Sequence, residues 1–261
     1  MNDVAGPIHH SAAKGYTAKA ETYAQARPDY PPEIVDWMRR NLGIETGKTA
    51  LDLGAGTGKF TRYLAKTGAR VIAVEPVRQM REQLAKVLPE IDVLEGTATS
   101  IPLPDNSIDA LTCAQSFHWF ATKEALTEIH RVLKPWGKIA LVWNRRDESV
   151  PWVAQLRDIL APYEGDTPRF TSKTLSSVFP FNGFGPLHAN RFPHPGHTGA
   201  PEDVIVNRFR STSFIAALPP DEEAKVVAAI RALIASTPEL AGKDTVTVPY
   251  DTVVYWADKT G

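Results

Sequence analysis

The 261-residue sequence predicts an α/β fold, a doubly wound and mostly parallel sheet with helices on both faces. Three observations predict it. Short apolar runs at 50–53, 69–74, 110–115 and 138–143 alternate with segments of helical character, the pattern of parallel strands joined by crossovers. The first run breaks straight into glycines at alternate positions, Gly54, Gly56 and Gly58. The second ends at Glu75, which puts a carboxylate at the carboxyl end of a strand, where open α/β sheets bind ligands.

Along the chain, residues 1–15 are small and polar without a period, and a flexible N-terminal tail is expected there. Residues 32–41 read as a surface helix closed by Arg39-Arg40, cations that suit a helix C-terminus. The strand at 50–53 runs into the glycine turn, and a helix at 59–66 presents its N-terminus to whatever the turn holds. The buried strand 69–74 follows, then the strand 110–115, the aromatic segment Ser116-Phe-His-Trp-Phe120, a helix at 123–133 and the strand 138–143. Beyond Asp147 the character changes to helical stretches at 150–161, 202–215 and 221–236 around a Pro/Gly/Phe-rich stretch at 180–201. No internal repeat is visible.

The spacing of the glycine turn separates its possible ligands. A dinucleotide site of the form Gly-x-Gly-x-x-Gly places its third glycine at position 59, where Lys59 stands. A triphosphate loop is suggested by Gly58-Lys59 and broken by Leu53 and Phe60. What remains, Asp52-x-Gly54-x-Gly56-x-Gly58, resembles the first motif of the class I, Rossmann-like S-adenosylmethionine-dependent methyltransferases.

The resemblance continues downstream. Glu75-Pro76 matches the acid that takes the ribose hydroxyls, residues 93–109 match the third strand and the adenine-side loop, and 110–115 and 138–143 match the fourth and fifth strands. Tyr23-x-x-x-Arg27-Pro-x-Tyr-Pro31, together with Phe117-His-Trp-Phe120, is similar to the ubiquinone-biosynthesis and trans-aconitate branch, whose core is the type 11 methyltransferase domain. The likeness covers roughly residues 16–144, an expected cofactor-binding core, with 145–261 left for a substrate cap and the last two strands. It implies a seven-stranded sheet whose last strand is antiparallel, with 184–192 and 246–256 as the remaining strand candidates.

By the same resemblance, the cofactor is S-adenosylmethionine. Gly54, Ala55, Gly56 and Gly58 meet it at the turn, where Asp52 either orients the turn or receives the cofactor's ammonium through water; Glu75 and Pro76 meet the ribose, Thr97 and Ala98 adenine, and Gln115 the amino-acid end. Trp119, like Phe117 and Phe120, reads as a core or site-wall residue; the alternative for Trp119 is a place near the sulfonium, where an aromatic face attracts positive charge. Tyr23 and Arg27 are expected to close over the site, Arg27 pairing a carboxylate of cofactor or substrate; the alternative is an arginine fixed in a Pro-rich turn. Many relatives carry an acid in the adenine loop; Thr97-Ala98-Thr99 leaves adenine to backbone groups and a hydroxyl. Few catalytic side chains are required, because the sulfonium is already an activated donor and the protein's task is alignment and exclusion of water. His118 is the candidate base, if the acceptor keeps a proton. The alternative is that His118 orients a neighbour or packs under the cofactor. Oxygen or carbon is the expected acceptor atom by resemblance.

Composition bounds the rest. At 43% hydrophobic residues the chain buries a full core without staples. A net charge of −1 argues against nucleic acid found by bulk electrostatics. Arg145-Arg146, just past the fifth strand, is either solvated and locally paired or a contact for an anionic substrate. The single Cys113 cannot form an internal disulfide, and no apolar run reaches the ~20 residues of a membrane span, so a cytoplasmic protein is expected. His9-His10, His188, His194 and His197 lack carboxylates at ligand spacing, and no metal is expected. Aromatic residues of the cap, Trp152, Phe170, Phe179, Phe181 and Phe184, suit a small-molecule substrate with apolar area. Two other readings stay open at this stage, a regulatory cofactor binder without transferase activity and a dinucleotide-dependent oxidoreductase.

Overall fold

The computed structural model describes residues 27–168, 170, 172–194 and 196–260. The expected tail and Tyr23 lie outside these residues. Helix α1 (Ile34–Trp37) continues into a wider π turn, Met38–Leu42. Strand β1 (Thr49–Leu53) then leads through the glycine turn to α2 (Thr61–Ala65), β2 (Arg70–Val74), α3 (Arg78–Val87), β3 (Asp92–Leu94), β4 (Ile108–Ala114), α4 (Lys123–Val132) and β5 (Leu133–Arg146).

The later part carries α5 (Pro151–Leu160), α6 (Ser172–Ser176), β6 (His188–Pro193) and β7 (His197–Gly199). A second π turn, Glu202–Asn207, runs into α7 (Arg208–Arg210) and α8 (Ser213–Ala216). The long α9 (Pro220–Ser236), β8 (Val246–Val248) and β9 (Tyr250–Asp258) complete it.

Seven strands form one sheet in the order β3-β2-β1-β4-β5-β9-β6. β1 to β5 pair in parallel, and β9 runs antiparallel to both of its neighbours. This is the expected Rossmann-like, doubly wound sheet with an antiparallel last strand. The chain departs from β1 to opposite sides, toward β2 and toward β4, and the crevice at a parallel sheet's strand ends opens at such a switch.

Both faces are covered, which is why β1 is buried over four consecutive residues. Ala50 packs under Ile34, Met38 and Tyr63, whereas Leu51 and Leu53 pack with Leu126 and Ile129 of α4. Successive side chains of a strand point to opposite faces, so one short run serves two cores. Thr122 caps α4 by accepting from the Ala125 N–H at 3.2 Å. A third core lies in the cap, where Val153 and Leu156 of α5, Val204 to Val206 of the π turn and Ile230 of α9 meet β8.

Several boundaries differ from those expected. The predicted strand 246–256 splits at Pro249, which has no N–H to donate; β8 pairs with β7 in a separate ribbon, and only β9 joins the main sheet. The helix expected at 202–215 is three short pieces. β5 is longer than expected and pairs with β9 from Lys138 opposite Asp258 to Arg146 opposite Tyr250. Its last residues outrun β4, whose pairing ends with Ala114 opposite Val142. That overhang carries Asn144, Arg145 and Arg146 beyond the glycine turn's neighbour.

Candidate active site

The glycine turn is fixed by its own backbone and by two carboxylates. The N–H groups of Gly54 and Ala55 donate to the Val74 carbonyl at 2.8 and 3.3 Å. Gly54 adopts a φ of 70°, and a Cβ there would lie 2.7 Å from the Ser116 Cβ, so the approach of the turn to the end of β4 admits only glycine. Asp52, 1% exposed, accepts from Thr61 Oγ1 at 2.7 Å and Thr112 Oγ1 at 3.2 Å, tying β1 to α2 and β4. Glu75 accepts from the Gly56 N–H and the Val77 N–H, each at 2.9 Å.

Burial dominates the charge state of both acids. Desolvation pushes the Asp52 carboxyl up to about 6, against the two threonine hydroxyls, with Glu75 adding to the rise. Glu75 is also raised by burial, opposed by the two backbone N–H groups and by Arg81. Each Glu75 oxygen keeps a second lone pair for a further donor.

A cavity of about 370 Å³ opens above this turn. Gly54, Ala55 and Gly56 line it on one side, with Glu75 and Pro76 at the end of β2. Thr97 and Ala98 line it, as do Gln115, Trp119 and Arg27. The structure therefore brings together most of the residues expected at a cofactor. Two are corrected. The Asp52 side chain is taken up by threonines beneath the turn, and Gly58 faces α3, where a Cβ would press on Leu84 at 2.9 Å; neither lines the cavity.

A second cavity of about 580 Å³ adjoins the first. Arg27, Gln115, Trp119, Asn144, Arg208 and Tyr250 line both. Gln115 reaches this shared wall because β4 ends in a left-handed residue, φ 57°, an uncommon conformation for a residue other than glycine. Its N–H donates to the Val142 carbonyl at 2.8 Å and its Nε2 to the Asn144 carbonyl at 3.0 Å. The following 3-10 turn, Phe117–Trp119, is pinned by the fully buried Phe117. Phe120 packs edge-to-face on Phe117, ring centroids 5.7 Å apart, and also lines the first cavity.

His118 lines the second cavity and not the first. Its Nδ1 accepts from Trp143 Nε1 at 3.4 Å, which places the proton of the neutral ring on Nε2. Sequence reasoning missed Lys59 as more than an absent glycine. Its ammonium donates to the Arg27 carbonyl and lies 3.3 Å from Asp29, tethering a segment whose Arg27, Pro28 and Tyr30 line the first cavity. It also missed Arg208 and Tyr250, which arrive from the cap and from β9 without any local motif. Among the described residues, no three His, Cys, Asp or Glu side chains are grouped to hold a metal.

Comparison with known proteins identifies the family. Residues 51–141 match the family described as methyltransferase domain. An uncharacterized methyltransferase-like protein of Schizosaccharomyces pombe is 40% identical over 248 residues, 94% of this chain and 96% of the relative. The chain belongs to the class I methyltransferases. This methyltransferase is also 34% identical, over 119 residues, to the ubiquinone/menaquinone biosynthesis C-methyltransferase of Escherichia fergusonii, a match covering 41% of this chain and 47% of that protein. Its fold is shared with a solved phosphoethanolamine N-methyltransferase of Haemonchus contortus in complex with S-adenosylhomocysteine. That likeness has a TM-score of 0.58 and 15% identity, and covers 98% of this chain and 61% of that one.

Proposed function

We propose that this methyltransferase binds S-adenosylmethionine in the first cavity and methylates an oxygen or carbon atom of a small molecule held in the second. The observation that carries the reading is the shared wall: a cavity bounded by the glycine turn and Glu75 meets a second cavity across six residues of common lining. The residues fit the cofactor. A Cβ on Gly56 would meet only Met80 Sδ at 3.7 Å, so the turn leaves room above it, and Glu75 retains acceptor capacity beside that room. When bound, S-adenosylmethionine supplies a methyl group on a sulfonium, a donor whose leaving group departs neutral.

The chain's own residues then bind, orient and exclude water. Gly56 and Glu75 hold the ribose side, Thr97 and Ala98 meet adenine, and Gln115 takes the amino-acid end; Trp119 offers a π face at the shared wall. Arg27 and Lys59 keep the entering segment across the opening. Water exclusion strengthens every electrostatic contact inside. His118 acts as an orienting N–H donor toward the acceptor, because Trp143 already donates to the nitrogen a base would use. Single-turnover methylation by His118→Ala should keep the parent's pH profile; loss of its acid limb would identify His118 as the base instead.

Calorimetric titration with S-adenosylmethionine, S-adenosylhomocysteine and NADH, one at a time, tests the cofactor. Saturable binding of the first two alone is the expected result. Binding of NADH only, or of none, would overturn the reading.

A further inference from the structure

We infer that Tyr250 and Arg208 form a recognition pair for an anionic oxygen group, a carboxylate or a phosphate, on the methyl acceptor; this rests on the two-cavity reading above. Tyr250 is 5% exposed, and its hydroxyl is buried without a hydrogen-bond partner among the described residues. Buried hydroxyls are otherwise bonded, so an unmet one on a cavity wall points to a ligand that completes it. Tyr250 lines both cavities, and so does Arg208, which is 9% exposed.

The surroundings set the sign of the ligand. The second cavity is lined by six arginines and four carboxylates. Two of those carboxylates already face arginines, Glu148 with Arg157 at 3.1 Å and Asp251 with Arg191, and Asp147 accepts from the Ser149 hydroxyl at 2.6 Å. Arg145 and Arg146 lie over Phe170 and Phe209, at 5.9 and 4.9 Å from the ring centroids, so rings hold their planes where side-chain freedom would blur them. A guanidinium is a planar fork that matches carboxylate and phosphate oxygens, and a phenol beside it donates one further bond. Tyr250 stands opposite Arg146 in the β5–β9 pairing, so both positions are set by strand register and need no loop. The pair positions the acceptor; no proton transfer is assigned to it.

The test uses the full chain and the quenching of its tryptophans, two of which, Trp119 and Trp143, line the second cavity. Succinate, inorganic phosphate and the neutral analogue succinamide are titrated with and without saturating S-adenosylhomocysteine. Saturation by succinate or phosphate, with none by succinamide, is expected, and whichever anion binds names the group. Arg208→Gln should weaken the anion about tenfold or more and Tyr250→Phe severalfold, while Arg208→Lys keeps part of the binding. S-adenosylhomocysteine affinity should stay within about twofold throughout, since the pair is assigned to the acceptor. Tyr250→Phe guards against a folding artefact, because losing an unmet buried hydroxyl should leave the melting temperature unchanged or higher. If S-adenosylhomocysteine binds but no anion does, or if the variants weaken S-adenosylhomocysteine as much as the anion, the pair is misassigned. If S-adenosylhomocysteine itself fails to bind the parent, the cofactor reading has failed first.

Discussion

Asp52 shows how one residue trades stability against position. Its carboxyl is held at about 6 in the folded chain, against 3.8 when free, so between pH 4 and 6 the folded state binds more protons than the unfolded one. Stability from this group therefore falls as pH rises through that window, and above it the full penalty stands, about 3 kcal/mol for a shift of this size. The Asp52→Asn substitution keeps an acceptor for one threonine and a donor for the other without a buried charge. The variant should melt several degrees higher than the parent at pH 8, and the two curves should converge near pH 4. A lower melting temperature at pH 8 would show that the two threonine bonds outweigh desolvation.

At the scale of elements, the segment Arg27–Tyr30 is held by Lys59, Arg62, Tyr63, Asn144 and His194, Arg62 pairing with the Asp29 carboxylate and a ring nitrogen of His194 meeting the Asp29 carbonyl. Lys59 reaches the Arg27 carbonyl and Asp29, the Tyr63 hydroxyl donates to the Tyr30 carbonyl at 2.8 Å, and Asn144 donates to the Asp29 carbonyl at 2.9 Å. Lys59→Met keeps the stem and deletes the charge. Because partly exposed ion pairs contribute little to global stability, the expected changes are local. Amides of residues 27–30 should exchange faster with deuterium, and S-adenosylhomocysteine should leave severalfold sooner, with little change in melting temperature. Unaltered exchange would mean that Arg62, Tyr63, Asn144 and His194 suffice.

The same comparison shows what a sequence carries. Gly54, Gly56 and Glu75 were legible because a turn and a strand end are local, and their chemistry is written in adjacent residues. Asn144, Arg208 and Tyr250 were not, because they come from the β5 overhang, a helix after a π turn and the antiparallel return of β9. No periodicity announces a π turn, and no motif reports which residue faces another across a register.

On the scale of the molecule, the glycine turn and the cap share one sheet. Val254 of β9 packs in the core under α1, and Ala257 packs in the core over α4. Separate folding of residues before and after 145 is therefore disfavoured, and we expect calorimetric unfolding to show a single transition. Two resolved transitions, with S-adenosylhomocysteine raising only one, would reveal an independent core.

The nine-pair ladder between β5 and β9 also bears on how such proteins diversify. Of the residues that line both cavities, Arg27, Gln115 and Trp119 are encoded ahead of this ladder's first strand, Asn144 within it, and Arg208 and Tyr250 after it. On the reading proposed above, a crossover between two related genes that preserves the ladder would join one parent's glycine turn and Glu75 to the other parent's Arg208 and Tyr250, so the anion-recognising pair is exchangeable without altering the turn that faces the cofactor.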